Sequence, residues 1–322
     1  MWPFARYEVA RSLWKMEMVP GLNFANPVLC TSSQTREFLE VRQREAGRMA
    51  LGAHGGTPNE GMQGDLGWSA FESREAVAKL AYERRLCGLG EERWARRVFN
   101  YLVYRSVNTR LTKRLARLAG KYEVPPTLLD GRPLREGVTD LKKHVRQVET
   151  RRWTESATRK SSMTVYAASK RAIEREQLYD DSRGSGLLLE GRTGTLKTRL
   201  WRSRYDTGAP ITCVACGAAE EITEHLVLQC EALSPCPQVD HLPDALGFRT
   251  AERGDDGEEH EHVETTKRRL EQWWEISWRL WKRERRAGPD VQAQAGQPIF
   301  STQVDLPHTV DPTEALTEQE LG

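Results

Sequence analysis

The chain has 322 residues, of which 38% are hydrophobic and 29% charged, with a net charge of +2 and a mean hydropathy of −0.65. No apolar run reaches the about eighteen residues that a membrane-spanning helix needs, and the N-terminal MWPFARYEVARSLWKMEM is broken by Arg6, Glu8, Arg11, Lys15 and Glu17, so it has no signal-peptide core. Few apolar and many charged residues predict a mainly α protein with long charged faces, and disfavour a compact enzyme.

Residues 1–125 read as a helical region. VPGLNFANPVLC is irregular because of Pro20, Gly21, Asn23 and Pro27. Residues 31–51 read as one helix with Phe38, Leu39, Val41 and Met49 toward a core. The glycine-rich 52–67 reads as a loop, with His54 as a solvated loop histidine. Ser69-x-x-Glu72 is a capping box ahead of FESREAVAKLAYERRL. EERWARRVFNYLVYR is amphipathic through Trp94, Val98, Tyr101 and Leu102. TRLTKRLARLAG sets Leu111, Leu115 and Leu118 on one side and Arg110, Lys113, Arg114 and Arg117 on the other, a face that is either solvated or turned to phosphates.

Pro125-Pro126 and Asp130-Gly131 mark a boundary, after which 126–191 reads as a basic helical linker. Residues 141–175 hold ten Lys or Arg against three Glu, with Trp153 and Tyr166 interleaved. A helix with Leu141, Val145 and Val148 inside shows Lys142, Lys143 and Arg146 outside.

Residues 192–236 form the next unit. RTGTLKTRLWRSR carries Arg192, Lys197, Arg199, Arg202 and Arg204 around Trp201. Basic groups neutralise phosphates and an indole offers a base a surface to stack on, so these six residues are candidate nucleic-acid contacts. A basic amphipathic strand packed on the segment that follows is the alternative. That segment, ITCVACGAAEEITEHLVLQCE, spaces Cys213, Cys216, His225 and Cys230 as C-x2-C-x8-H-x4-C. Two cysteines two apart turn both sulfurs to one point, and Gly217 supplies the positive φ of the turn. A short helix starting at Glu221 or Thr223 brings in His225 and Cys230. Three thiolates and an imidazole suit a structural Zn2+, closed to water by four protein ligands. Cys236 is a reserve ligand. Cysteines used this way also point to a reducing interior, cytoplasm or nucleus.

Residues 237–287 read as an acidic solvated loop over 251–264, then a helix with Leu270, Trp273, Trp274, Ile276, Leu280 and Trp281 at helical spacing and Trp278 at its edge. So many indoles predict docking on something. Residues 288–322, without Lys or Arg and with scattered prolines, read as a disordered tail.

The strips EFLEVRQREAGRMALGAHG, EGMQGDLGWSAFESREAVAKLAYERRL, ERWARRVFNYLVYR, YDDSRGSGLLLEGRTGTLKTRLWRSRYD and TKRRLEQWW, with the Cys/His series, resemble the C-terminal portion of non-LTR retrotransposon reverse transcriptases, in particular the tick-type transposon proteins, over most of residues 15–281. The resemblance implies thumb- or connection-like helices, then a zinc knuckle that helps grip RNA or target DNA. Gag-type knuckles have a shorter gap before the histidine. The palm's aromatic-x-Asp-Asp turn is not matched. Leu178-Tyr179-Asp180-Asp181 begins with leucine, lacks a hairpin pattern and follows the thumb-like segment, so it reads as a helix-ending loop. Pro243-Asp244 with Glu264-Thr265-Thr266-Lys267 has one residue too many for a restriction-like nuclease. The expectation is a non-enzymatic fragment of a longer element that binds single-stranded RNA or DNA, with the element's polymerase as a further partner and no membrane. The alternative is a protein-interaction scaffold, in which knuckle and Trp-rich helix dock on a partner or on the polymerase.

Overall fold

The computed structural model describes residues 6–125, 128–129, 132–133, 140–206, 208–248 and 256–286. Helices dominate. α1 (Arg6–Leu13) runs through a π-helical turn (Trp14–Met18) into α2 (Val19–Asn23). Then follow α3 (Ser33–Leu51), α4 (Asn59–Leu66), α5 (Phe71–Gly88), α6 (Trp94–Tyr104) and α7 (Arg110–Lys121). A two-residue antiparallel pair, β1 (Leu128–Leu129) with β2 (Arg132–Pro133), precedes α8 (Leu141–Thr158), α9 (Thr164–Ser169), α10 (Arg183–Arg192), α11 (Arg199–Ser203), α12 (Leu242–Ala245) and α13 (Asp256–Arg286). The Asp130-Gly131 turn, Pro126 and the tail 288–322 lie outside the described residues.

α10 is the hub. Its GSGLLLEGR is buried on every side, where the sequence predicted part of a basic linker. It packs on α13, α3 and α4. Gly186 lets its backbone meet the Gly52 carbonyl, a gap that a Cβ would close. The main core runs from Tyr7 through Leu51, Leu66, Trp153, Tyr166 and Leu188 to Phe248 and Val263, across the expected boundaries at 126, 192 and 237.

α3 forms as predicted, capped by the Ser32 hydroxyl on Thr35 N–H and ended by Gly52 in the left-handed region (φ +68°). Its buried face differs. Gln43, Gly47, Ala50 and Leu51 turn inward, while Phe38 and Met49 are exposed. Small residues win because Met62 and Leu66 press on Gly47. The glycine-rich loop contains a buried helix, α4, since Gly61 and Gly64 lie against Thr193, Tyr166 and Trp153 where no side chain fits. Ser69 caps nothing. α5 starts one residue later than that box requires and is capped by distant carboxylates: Glu40 accepts from Phe71 N–H at 2.7 Å and Glu149 from Ala70 N–H at 2.7 Å. On α7, Leu115 and Leu118 are buried, but so is Arg114, paired with Glu75 and Glu72. Trp153 and Tyr166 are core residues, not exposed stacking platforms. On α8, Leu141, Val145 and Val148 face inward and Lys142, Lys143 and Arg146 outward.

Residues 256–264 are the first turns of α13 and not a loop. Residues 251–255 of the expected loop lie outside the described residues. The strip 178–181 opens a helix where the sequence predicted the end of one: Ser182 caps α10. Asp180 pairs with Lys267 at 2.7 Å, and Asp181 accepts the Tyr7 N–H at 2.6 Å.

Candidate metal centre

Residues 211–221 form a minimal hairpin. Thr212 bridges Glu220, Cys213 N–H donates to Ala219 O (2.7 Å), and Gly217 N–H donates to Cys213 O (2.9 Å). Gly217 has φ +68°, the left-handed conformation this turn requires. A helical segment begins at Thr223 and widens into a π turn over His225–Gln229, closed by Cys230 N–H on His225 O at 2.7 Å. That bond joins two of the four candidate ligands directly.

The ligand atoms of Cys213, Cys216, His225 and Cys230 all lie within 4.8 Å of one another. The Cys213 and Cys230 sulfurs are 3.9 Å apart, and Cys216 Sγ lies 3.3 Å from His225 Nε2. A tetrahedron with metal–sulfur bonds of ~2.3 Å has sulfur–sulfur edges of ~3.8 Å, so the cluster could hold one four-coordinate ion. Cys213, Cys230 and His225 are buried; Cys216 is half-exposed. Cys236 is exposed and outside the cluster. Burial pushes the Cys213 thiol up to about 12 and raises Cys230. The Ala218 N–H on its sulfur, against some desolvation, brings Cys216 down to about 6, with the His225 contact helping. A cation among these sulfurs favours the thiolates, so binding it releases protons.

Two residues that the sequence reading missed fix this loop. Glu221, expected only as a helix start, is buried and accepts from Arg199 N–H and Val214 N–H, both at 2.8 Å. One carboxylate thereby caps α11 and the Cys-x-x-Cys turn together. Arg269 of α13 is 1% exposed and donates to four carbonyls: Leu226 (3.2 Å), Cys230 (2.8 Å), Leu233 (2.5 Å) and Pro235 (2.9 Å). It clamps the chain leaving the last cysteine and puts a positive charge beside the Cys/His cluster. Below it Trp273 and Leu270, fully buried, pack with Cys213, Cys230, Leu226 and Val227. The Trp-rich helix thus docks on the Cys/His segment of its own chain. Its outer indoles form a ladder, Trp274 to Trp278 at 6.2 Å and Trp278 to Trp281 at 4.5 Å, with the Arg183 guanidinium 4.3 Å over Trp274.

The basic strip divides. Arg192 is fully buried at the centre of the fold, against the expectation that it meets a phosphate. Its Nε lies 3.0 Å from Asp65, Nη1 donates to Leu246 O and Gly247 O, and its plane sits 3.9 Å over Phe248. The other five gather on and just before α11, which Thr198 caps through Trp201 N–H at 3.1 Å. The segment is a turn and a short helix, not a strand. Lys197, Arg199, Trp201 and Arg202 are half-exposed and Arg204 is exposed. Arg199 donates to Thr212 O. Trp201 lies 5.0 Å from Tyr205, which is 67% exposed.

No protein-family profile, curated protein or solved structure matches the chain. No described helix is long and apolar enough to cross a membrane.

Proposed function

We propose that the chain is a zinc-dependent module that binds single-stranded RNA or DNA, and that it derives from a non-LTR retrotransposon reverse transcriptase without its palm. Cys213, Cys216, His225 and Cys230 would hold the Zn2+, whose role is structural, since four protein ligands leave no position for a reacting water. The carrying observation is the Trp201–Tyr205 pair, tied to the ligand loop through Glu221 and carried on the same short segment as Arg199, Arg202 and Arg204. Paired aromatic faces among guanidinium groups suit stacked bases and a phosphate backbone. The zinc requirement follows from that tie: a folded loop presents α11 in one orientation, so less ordering entropy is lost on binding. The proposed function includes no polymerase chemistry, a reading supported by the unmatched palm motif and by the engagement of Asp180 with Lys267 and of Asp181 with the Tyr7 amide.

Elemental analysis with zinc supplied should return one ion per chain, lost in Cys216→Ser. Fluorescence anisotropy on a labelled single strand at several salt concentrations tests the contacts. Four basic groups, Lys197, Arg199, Arg202 and Arg204, give a log–log salt slope near −3, at roughly 0.7 per phosphate. Trp201→Ala weakens binding by about 1–3 kcal/mol with the slope unchanged. A slope of zero rejects the nucleic-acid function and favours the scaffold.

A further inference from the structure

α6 is nearly bare. Phe99 is its single buried residue, packed with Leu86 and Cys87 of α5. At 100° per residue, the face opposite Phe99 carries Trp94, Arg97, Tyr101, Tyr104 and Arg105. Trp94 is 77% exposed, Tyr101 59% and Tyr104 86%. Residues 93–121 contain nine Lys or Arg and no Asp or Glu. Glu72 and Glu75 take up Arg114 and Lys121. Arg105, Arg110, Lys113 and Arg117 are exposed and have no carboxylate partner among the described residues.

We infer that α6 and the outer side of α7 form a second contact for single-stranded nucleic acid, with bases stacked on Trp94 and Tyr101 and phosphates on Arg97, Arg105, Arg110, Lys113 and Arg117. The inference takes its ligand class from the function proposed above, and uses none of the residues around the Cys/His cluster. Charge selects this occupant. An apolar face built for a protein partner normally loses charge at its centre, whereas here Arg97 lies between the aromatic positions and no acid follows for a further twenty residues or so. Trp94 and Tyr101, seven residues apart, are separated by ~10.5 Å along the axis, room for bases to lie against both rings. A stacking ring needs an open face, and these rings have one.

The experiment uses the full chain, loaded with zinc, and a fluorescent oligouridine. Trp94→Ala and Tyr101→Ala should each weaken binding about tenfold without changing the salt slope. Lys113→Gln with Arg117→Gln should flatten the slope by about 1.4 units. All four positions are exposed, so the thermal melt and the zinc content should match wild type. Trp201→Ala serves as the comparison. Loss through Trp94 and Tyr101 with no effect of Trp201 upholds this surface and overturns the contact proposed on α11. Loss through Trp201 alone does the reverse. Wild-type affinity and slope in all the α6 and α7 variants overturn the inference and leave that face to a protein partner.

Discussion

Two buried charged groups answer to pH and to substitution in opposite ways. Glu190, 3% exposed on α10, accepts the His54 N–H at 3.3 Å, and burial raises its carboxyl to about 7 despite Arg183 and Lys197 nearby. His54 donates from Nε2 to Thr195 O and accepts the Gly56 N–H at Nδ1, so its ring is held neutral, and burial lowers it to about 4. It is half-buried, not the solvated loop residue the sequence predicted. A raised acid gives stability that is complete below about pH 4.5 and lost as pH passes 7. A lowered histidine gives stability that is complete above about 6.5 and lost toward 4. Glu190→Gln should therefore match wild type near pH 5 and exceed it at pH 8, by on the order of 2–3 kcal/mol. Paired thermal melts at the two pH values check this, and a pH-independent difference refutes it. Arg192 behaves otherwise. It neutralises Asp65, which also accepts from the Tyr166 and Tyr179 hydroxyls. Arg192→Met should cost about 3–5 kcal/mol in a denaturant melt, and adding Asp65→Asn should restore part of it.

The Cys/His hairpin and α13 stand or fall together. Removing the proposed Zn2+ with a chelator should raise hydrogen exchange over 211–236 and over the buried turn of α13 around Arg269 and Trp273, because both sit in one cluster. Arg269→Met keeps the ligands but strands four carbonyls, so zinc affinity should fall by about 10–100-fold, read by competition with a chromophoric chelator. The Cys/His cluster was legible in the sequence because its spacing is local and each residue type has a chemical reason. Arg269 was not, since nothing within Lys267-Arg268-Arg269 marks the last as the one that reaches the carbonyls around Cys230. Arg192 misled for the same reason: a buried cation looks like a basic strip until its partners, Asp65 and Glu176, arrive from elsewhere in the chain. α4 and α10 were hidden by their glycines, which signal loops locally but here admit neighbours at close range.

Over the whole molecule the helical class, the α8 face and the Cys/His segment were readable, while the division into consecutive units did not anticipate a core drawn from Tyr7 to Val263. A chain ending at residue 191 lacks Arg192, Phe248 and α13, and leaves Asp65 without its cation. It should show no cooperative thermal transition by circular dichroism, unlike the full chain. A sharp melt from that shortened chain would mean that the N-terminal helices hold a core of their own.

The closure of the first helix onto the strip before α10 has a consequence in time. The Tyr7 amide meets Asp181 across 174 residues. At ~5–20 residues per second, a ribosome delivers the second group roughly 9–35 s after the first. Throughout that interval Tyr7 and Trp14 have no finished core to enter. The nascent chain should then carry those side chains uncovered, and slowing elongation should lengthen that exposure, read as faster proteolysis of ribosome-bound chains.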